Sequence, residues 1–340
     1  MANKLPFDNN AFIPGSLQDL GDARLLPASA RTADHQLASP TGEIRNFLKK
    51  DLMVDKLNRI GPYLWLAGQP MPPKPLNYQV ATCREIAVDE RIDMHMVWED
   101  SQRIHLKPLP RYLLDPQFWE SHLVCKGLCC VSAPDKVNQE QQLGCRKELH
   151  KCALGFLSSY MALVRFESDF FIAQTYRLLP NTITWEMWLK LNQQLLRNDA
   201  NNPANINSRY LFGELRLSRL NKICMIFHAR PLSAYQITYH TYGELFHDYL
   251  TPVTAATIYV ALVLTAMQVG LATNRLALSS PFQDASYGFT VFAILGPLIG
   301  ILFIGVIWGL AFTNNMIGSW KFKQQQFALY EQSLVRDQLP

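Results

Sequence analysis

Two uncharged apolar stretches, residues 250–272 and 287–312, constrain this chain more than anything that precedes them. Each is about 23 to 26 residues long, and at about 1.5 Å per residue a helix of that length crosses a hydrocarbon core of roughly 30 Å. Lipid offers a bare backbone no hydrogen-bond partner, so isolated segments of this kind cross as helices. The pair reads as a transmembrane hairpin, with Thr273 to Ser286 as its short connection. Two crossings return the chain to its starting side. With no signal-peptide pattern in Met1 to Ala30, both termini are expected on the cytosolic face. Lys321 and Lys323 after the second stretch, against Arg275 in the connection, lean the same way.

The 340 residues leave ample chain before the hairpin for a soluble domain with its own core. A net charge of +4 is too weak and too dispersed to point to nucleic acid, which needs Lys and Arg gathered on one face. Seven cysteines, with Cys129 and Cys130 adjacent, do not make a secreted disulfide framework; reduced thiols facing the cytosol are expected.

From Met1 to about Gly42 the sequence is rich in Pro, Ser, Ala, Asn and Asp and lacks periodicity, a composition that buries too little to order itself. Between Glu43 and Gly61, apolar residues recur from Ile44 to Ile60 at helical spacing, predicting one helix that stops at Gly61-Pro62. Pro70 to Pro75 preclude a regular element. The short apolar segments Ile86–Val88, Met94–Trp98 and Ile104–Leu106 fit strands or helix fragments equally. Asp115 should cap a short helix begun by Pro116. A helix from about Gln139 to Leu179 follows; its apolar run, Ala153 to Val164, is too short to cross a bilayer and suits a buried core helix. Two more helices are expected, one capped by Thr184 and one over Arg209 to Phe227, separated by the asparagine-rich loop 198–207.

The chain therefore reads as mainly α, with a helical cytosolic N-terminal domain followed by a C-terminal two-helix transmembrane hairpin. Its divisions are a flexible tail (1–42), a mostly helical soluble domain (43–249), the hairpin (250–312) and a short polar C-terminal tail (313–340).

Chemistry-bearing groups are sparse. Cys125, Cys129, Cys130 and Cys145, with His150 and Cys152, could offer zinc soft ligands, yet they lack paired Cys-x2-Cys hooks. His240, Glu244 and His247 share one helix face just before the first stretch, but not in the His-Glu-x-x-His order of a zincin; an interfacial polar face is the plainer reading. No cofactor is expected. Arg216, Arg219 and Lys222, with Arg209, can meet anionic headgroups or pair with Glu167, Asp169 or Glu214 inside the domain. The second stretch carries Gly296 and Gly300, then Gly305 and Gly309, at the four-residue spacing that lets membrane helices approach closely. At about 100° per residue the two pairs face opposite sides. Thr257, Ala261 and Thr265 of the first stretch offer a mate for one pair, which leaves the other for a second copy or a different membrane protein, while Pro297 can kink the helix between them.

Pro108-Leu-Pro-Arg-Tyr-Leu-Leu-Asp-Pro-Gln-Phe-Trp119, Phe166-Glu-Ser-Asp-Phe170, Thr184-Trp-Glu-Met-Trp188, Tyr210 to Lys222, Leu264 to Thr273 and Ala285 to Phe292 resemble an uncharacterised family of two-span membrane proteins of filamentous (ascomycete) fungi. The resemblance covers roughly residues 44 to 320 and implies the hairpin architecture without an activity. Members of that family are often labelled subtilisin-like serine proteases. The small-residue contexts that place a subtilisin Asp, His and Ser are absent here, as are a phosphate-binding glycine loop and a Gly-x-Ser-x-Gly elbow. The expectation is a membrane-anchored, non-enzymatic binding or scaffolding protein whose partners are the bilayer and, through the second span, a membrane protein or another copy. The alternative is a membrane-bound hydrolase or metalloenzyme using the cysteine cluster or the His240 face.

Overall fold

The computed structural model describes residues 24–32, 36–125, 146–227, 235 and 242–336. The chain divides into two units, Met1–Gln236 and Ile237–Pro340. It is mostly helical, with some sheet.

The first unit opens with a two-residue ribbon, β1 (Ala30–Arg31) against β2 (Leu37–Ala38), within the stretch expected to be a flexible tail. The single helix expected up to Gly61 is broken in two: α1 (Ile44–Leu52) and α2 (Asp55–Arg59). Met53 between them is extended, and Val54, Leu57 and Ile60 all become buried with Leu48 and Leu52. A continuous helix would have carried some of these side chains out of the core. A 3-10 turn over Gly61–Leu66, α3 (Leu76–Ala81) and an irregular proline segment between them complete this part.

A four-stranded mixed sheet accompanies the helices of this mostly helical domain. Its order is β3 (Glu85–Val88), β5 (Arg103–Leu106), β4 (Val97–Trp98) and β6 (Leu215–Arg216), with β3–β5 and β4–β6 parallel and β4–β5 antiparallel. The segments 86–88, 97–98 and 104–106, open between strand and helix in sequence, are strands because each pairs its backbone with another. Leu215–Arg216 belongs to the stretch predicted as the helix 209–227. Its pairing with Val97–Trp98 overrides that local pattern, and the helix begins only at Leu217.

The long helix expected over 139–179 is also two: α4 (Arg146–Leu163) and α5 (Glu167–Thr175); residues 139–145 lie outside the described ones. Asp169 causes the break. Its buried carboxylate accepts from the backbone N–H groups of Arg165 and Phe166, ending one helix and starting the next. It also accepts from Asn77 N at 2.6 Å, in the first turn of α3, so one carboxylate serves two helix starts. Asp169, one of three acids open as partners for the basic residues of 209–222, takes this capping role. Helix α4 is buried on nearly every side, as its apolar middle requires. Helices α6 (Trp185–Arg197), capped by Thr184, and α7 (Leu217–Phe227) follow, and Trp119, Phe156, Tyr160 and Trp188 fill the core.

The second unit holds α8 (Tyr242–Leu271), a single turn at Asn274–Ala277 and α9 (Ser280–Arg336). Both long helices contain a segment long and apolar enough to cross a membrane, Thr254–Leu271 and Ser280–Phe303. Helix α9 runs on through Pro297 and through most of the 313–340 tail. The hairpin closes tightly near its turn, where a Cβ added at Gly270 would lie 2.9 Å from the Phe282 ring.

Candidate functional site

One network of buried polar groups in the first unit is built on β4, β5, α1 and α4. His95 lies between Met94 and Met96 at the entry to β4, with its ring stacked on Tyr160 and edge-on to Phe156 of α4. Its Nδ1 accepts the backbone N–H of Lys107 at 3.1 Å, and its Nε2 lies 2.9 Å from Ser159 Oγ. Lys107, the residue after β5, is itself buried. Its ammonium donates to Asp51 Oδ1 at 2.9 Å and to the Glu90 carbonyl, while its own carbonyl accepts from Tyr160. Tyr112 donates its hydroxyl to the other oxygen of Asp51.

The charge states follow from this burial. Desolvation, with help from the nearby Arg209 and Lys107 cations, holds His95 well below the usual histidine range, so it is neutral. Burial first, then the Asp51 charge, drives the Tyr112 phenol well above its ordinary value, and burial does the same to Tyr160. Arg209 is buried among backbone carbonyls. It donates to Phe212 O at 2.7 Å, Gly213 O at 3.2 Å and His95 O at 2.9 Å. Burial lowers it to about 10, which leaves it protonated at neutral pH.

A serine 2.9 Å from a histidine invites a catalytic reading, and the hydrogen bonds refute it. Ser159 spends its one hydroxyl proton on the Phe156 carbonyl at 2.6 Å. His95 must therefore donate from Nε2 to Ser159, and its Nδ1 lone pair is already taken by Lys107 N–H. A base that activates serine needs the opposite tautomer: a free lone pair toward the hydroxyl, with Nδ1–H held by a carboxylate. Both polarities are reversed, and both groups are buried. The network ties the 94–97 segment, the 207–213 turn and α4 together; it is not a nucleophile and base.

The sequence candidates are scattered. Cys125 is half-buried just after the turn at Trp119–Leu123. Cys129, Cys130, Cys145 and His240 lie outside the described residues, as do the side chains of Glu244 and His247. Among the described residues no three His, Cys, Asp or Glu groups gather as a metal site. Cys152 is buried in the core, where desolvation pushes its thiol up to about 12, out of reach of thiolate chemistry at neutral pH. Arg216 pairs with Asp100 at 2.7 Å and lies over the Trp98 ring, which Arg84 also covers. Arg84 in turn pairs with Glu214 at 2.5 Å, so Glu214, one of the acids open as partners for the basic residues of 209–222, holds Arg84. Arg219 is exposed and donates to Leu66 O at 3.2 Å, and Lys222 is exposed. A Cβ at Gly300, Gly305 or Gly309 would meet nothing within 4 Å, and one at Gly296 only Phe292 of its own helix at 3.5 Å.

Sequence reasoning passed over His95, Lys107 and Asp51. The signal that could have found the first two is a lone polar residue inside an apolar run: Met94-His95-Met96-Val97, and Leu106-Lys107-Pro108-Leu109. Such a residue reaches the core only with its hydrogen bonds arranged in advance.

No curated protein and no solved structure matches the chain. A family model described as a family of unknown function matches residues 44–297, from the start of α1 through the buried network and into α9. The chain belongs to this family of unknown function, DUF6601.

Proposed function

We propose that the protein is a non-enzymatic membrane anchor: α8 and α9 cross a bilayer as a hairpin, and the first unit is held at its cytosolic surface as a binding or scaffolding module. The observation that carries this reading is the apolar character of the outer faces of both helices. Leu262, Leu298, Ile299, Leu302 and Phe303 are each at least 60% exposed. A contiguous surface of this kind is untenable in water and is what lipid requires. Two crossings return the chain to the side it left, and Lys321 and Lys323 beyond the second crossing favour the cytosolic side for both ends. The glycine pairs of α9, with Gly300, Gly305 and Gly309 open, leave room for another membrane helix. Exposed Arg219 and Lys222 are free to approach headgroups, whereas Arg209 and Arg216 are engaged within the domain.

The hydrolase or metalloenzyme reading draws no support from the described residues, because the Ser159–His95 pair has the wrong polarity and the described ligand candidates do not converge. Carbonate extraction and protease protection of tagged protein in sealed vesicles test the anchor. The protein should stay in the membrane at alkaline pH, with tags at both termini digested from the cytosolic side. Release by carbonate, or a shielded N-terminal tag, would overturn the reading.

A further inference from the structure

Helix α9 has 57 residues and α8 has 30. Antiparallel across a short turn, α8 can accompany α9 only to about residue 309. The remaining 27 residues (57 − 30) extend about 40 Å further with no hairpin partner. This overhang displays Met316, Trp320 and Phe327, all more than half exposed.

These residues are not scattered around the helix. At about 100° per residue, Gly305, Gly309, Met316, Trp320, Lys323 and Phe327 fall in a strip roughly 60° wide. Positions 305, 309, 312, 316, 320, 323 and 327 step by four or three, and the same steps continue in the sequence at Tyr330 and Leu334. The side of α9 that turns toward α8 is the opposite one, marked by buried or half-buried Ser286, Phe289, Ala293, Gly296 and Gly300. Helix α9 therefore has two seams, one used by the hairpin and one uncovered.

We infer that the uncovered seam pairs with the same seam of a second copy of this chain, as a parallel two-helix coiled coil that begins in the bilayer at Gly305 and Gly309 and continues beyond it. The inference rests on the hairpin crossing the membrane as proposed above. Steps of four, three and four repeat here every 11 residues, the spacing by which two helices wind around each other in a right-handed pair, the hand that a Gly-xxx-Gly contact also favours. Copies in one bilayer hold α9 at the same depth and in the same direction, so each residue meets its own counterpart without sliding. Ile317, Ser319 and Gln324 flank the strip without charge, so among the described residues the like charges that pairing opposes are those of Lys323 alone. Glycines occupy the strip where the backbones enter lipid and approach closest. Lys323 is the one cation among the described residues of the strip. Its ammonium lies 5.7 Å over the Phe327 ring, so the charge keeps a partner when the seam closes, and a polar residue at one such position fixes register.

The second unit contains no cysteine, so introduced ones report directly, with the parent protein as background. Full-length Trp320→Cys, Phe327→Cys, Lys321→Cys and Gln325→Cys would be oxidised in native membranes and read for a species of twice the chain mass. The two on the strip should crosslink about tenfold more than the two on the far side, and Gly305→Leu with Gly309→Leu should cut the Trp320→Cys yield about fivefold. Equal yields at all four positions, or a product of another mass, would overturn the inference. Loss of crosslinking with carbonate resistance intact sinks the pairing alone, whereas release by carbonate sinks the anchor reading.

Discussion

Gly155→Ala sets helix propensity against packing, and the structure decides the sign. Gly155 sits mid-helix in α4, where alanine gains about 1 kcal/mol in propensity. A Cβ there would lie 2.2 Å from Tyr210 Cδ2, 2.7 Å from Cγ and 3.0 Å from Cβ. These are the inner atoms of a buried ring, so the clash cannot be relieved by swinging a flexible end. Forcing a methyl into such a contact costs about 3 kcal/mol, the upper end of overpacking. If Tyr210 withdraws instead, the lost burial of an aromatic side chain costs a similar amount, about 2 to 3 kcal/mol. Either way the net loss is about 2 kcal/mol, which for a domain of this size lowers Tm by about 4 to 8 °C. Thermal melts of the full-length protein in mild detergent, read by the fluorescence of buried Trp119 and Trp188, measure it. In a Tyr210→Ala background the same substitution should be neutral or stabilising by up to about 1 kcal/mol. A higher Tm for Gly155→Ala alone, or the same loss in both backgrounds, refutes the packing argument.

Three further substitutions test the charge assignments. His150, edge-on to Trp119, is held down to about 4 by burial, against 6.5 for an exposed histidine. Between those values the unfolded chain takes a proton that the folded one refuses. Stability is therefore complete above pH 6.5, about 2 kcal/mol lower by pH 5 and level again below about pH 4. His150→Gln should flatten that slope in denaturant titrations at pH 7 and pH 5; an unchanged slope would show that other groups cause it. Arg209→Met strands the three carbonyls that the guanidinium serves and should cost about 3 kcal/mol, whereas Arg216→Met, which removes a partly exposed pair, should cost less than about 1 kcal/mol. Equal losses for the two would contradict the burial difference between them.

The apolar runs that make α8 and α9 candidates for crossing a membrane are written in local composition, because twenty consecutive apolar residues need no partner to declare themselves. The caps at Asp115 and Thr184 are local for the same reason: each side chain bonds a backbone group two or three residues away. The core helix at Ala153 to Val164 was likewise legible, too short to span and too apolar to be exposed. The sheet was not, since β6 exists only because Val97 and Trp98 lie beside Leu215 and Arg216, more than a hundred residues away in the chain. The break at Val164–Phe166 was hidden because Asp169 reads in sequence as one more surface charge, and its double capping role needs Asn77 brought next to it. Arg209 and Arg216 look alike in the sequence, seven positions apart on one apparent helix. Folding placed the first among carbonyls and the second beside Asp100, a distinction set by long-range packing that no local pattern carries.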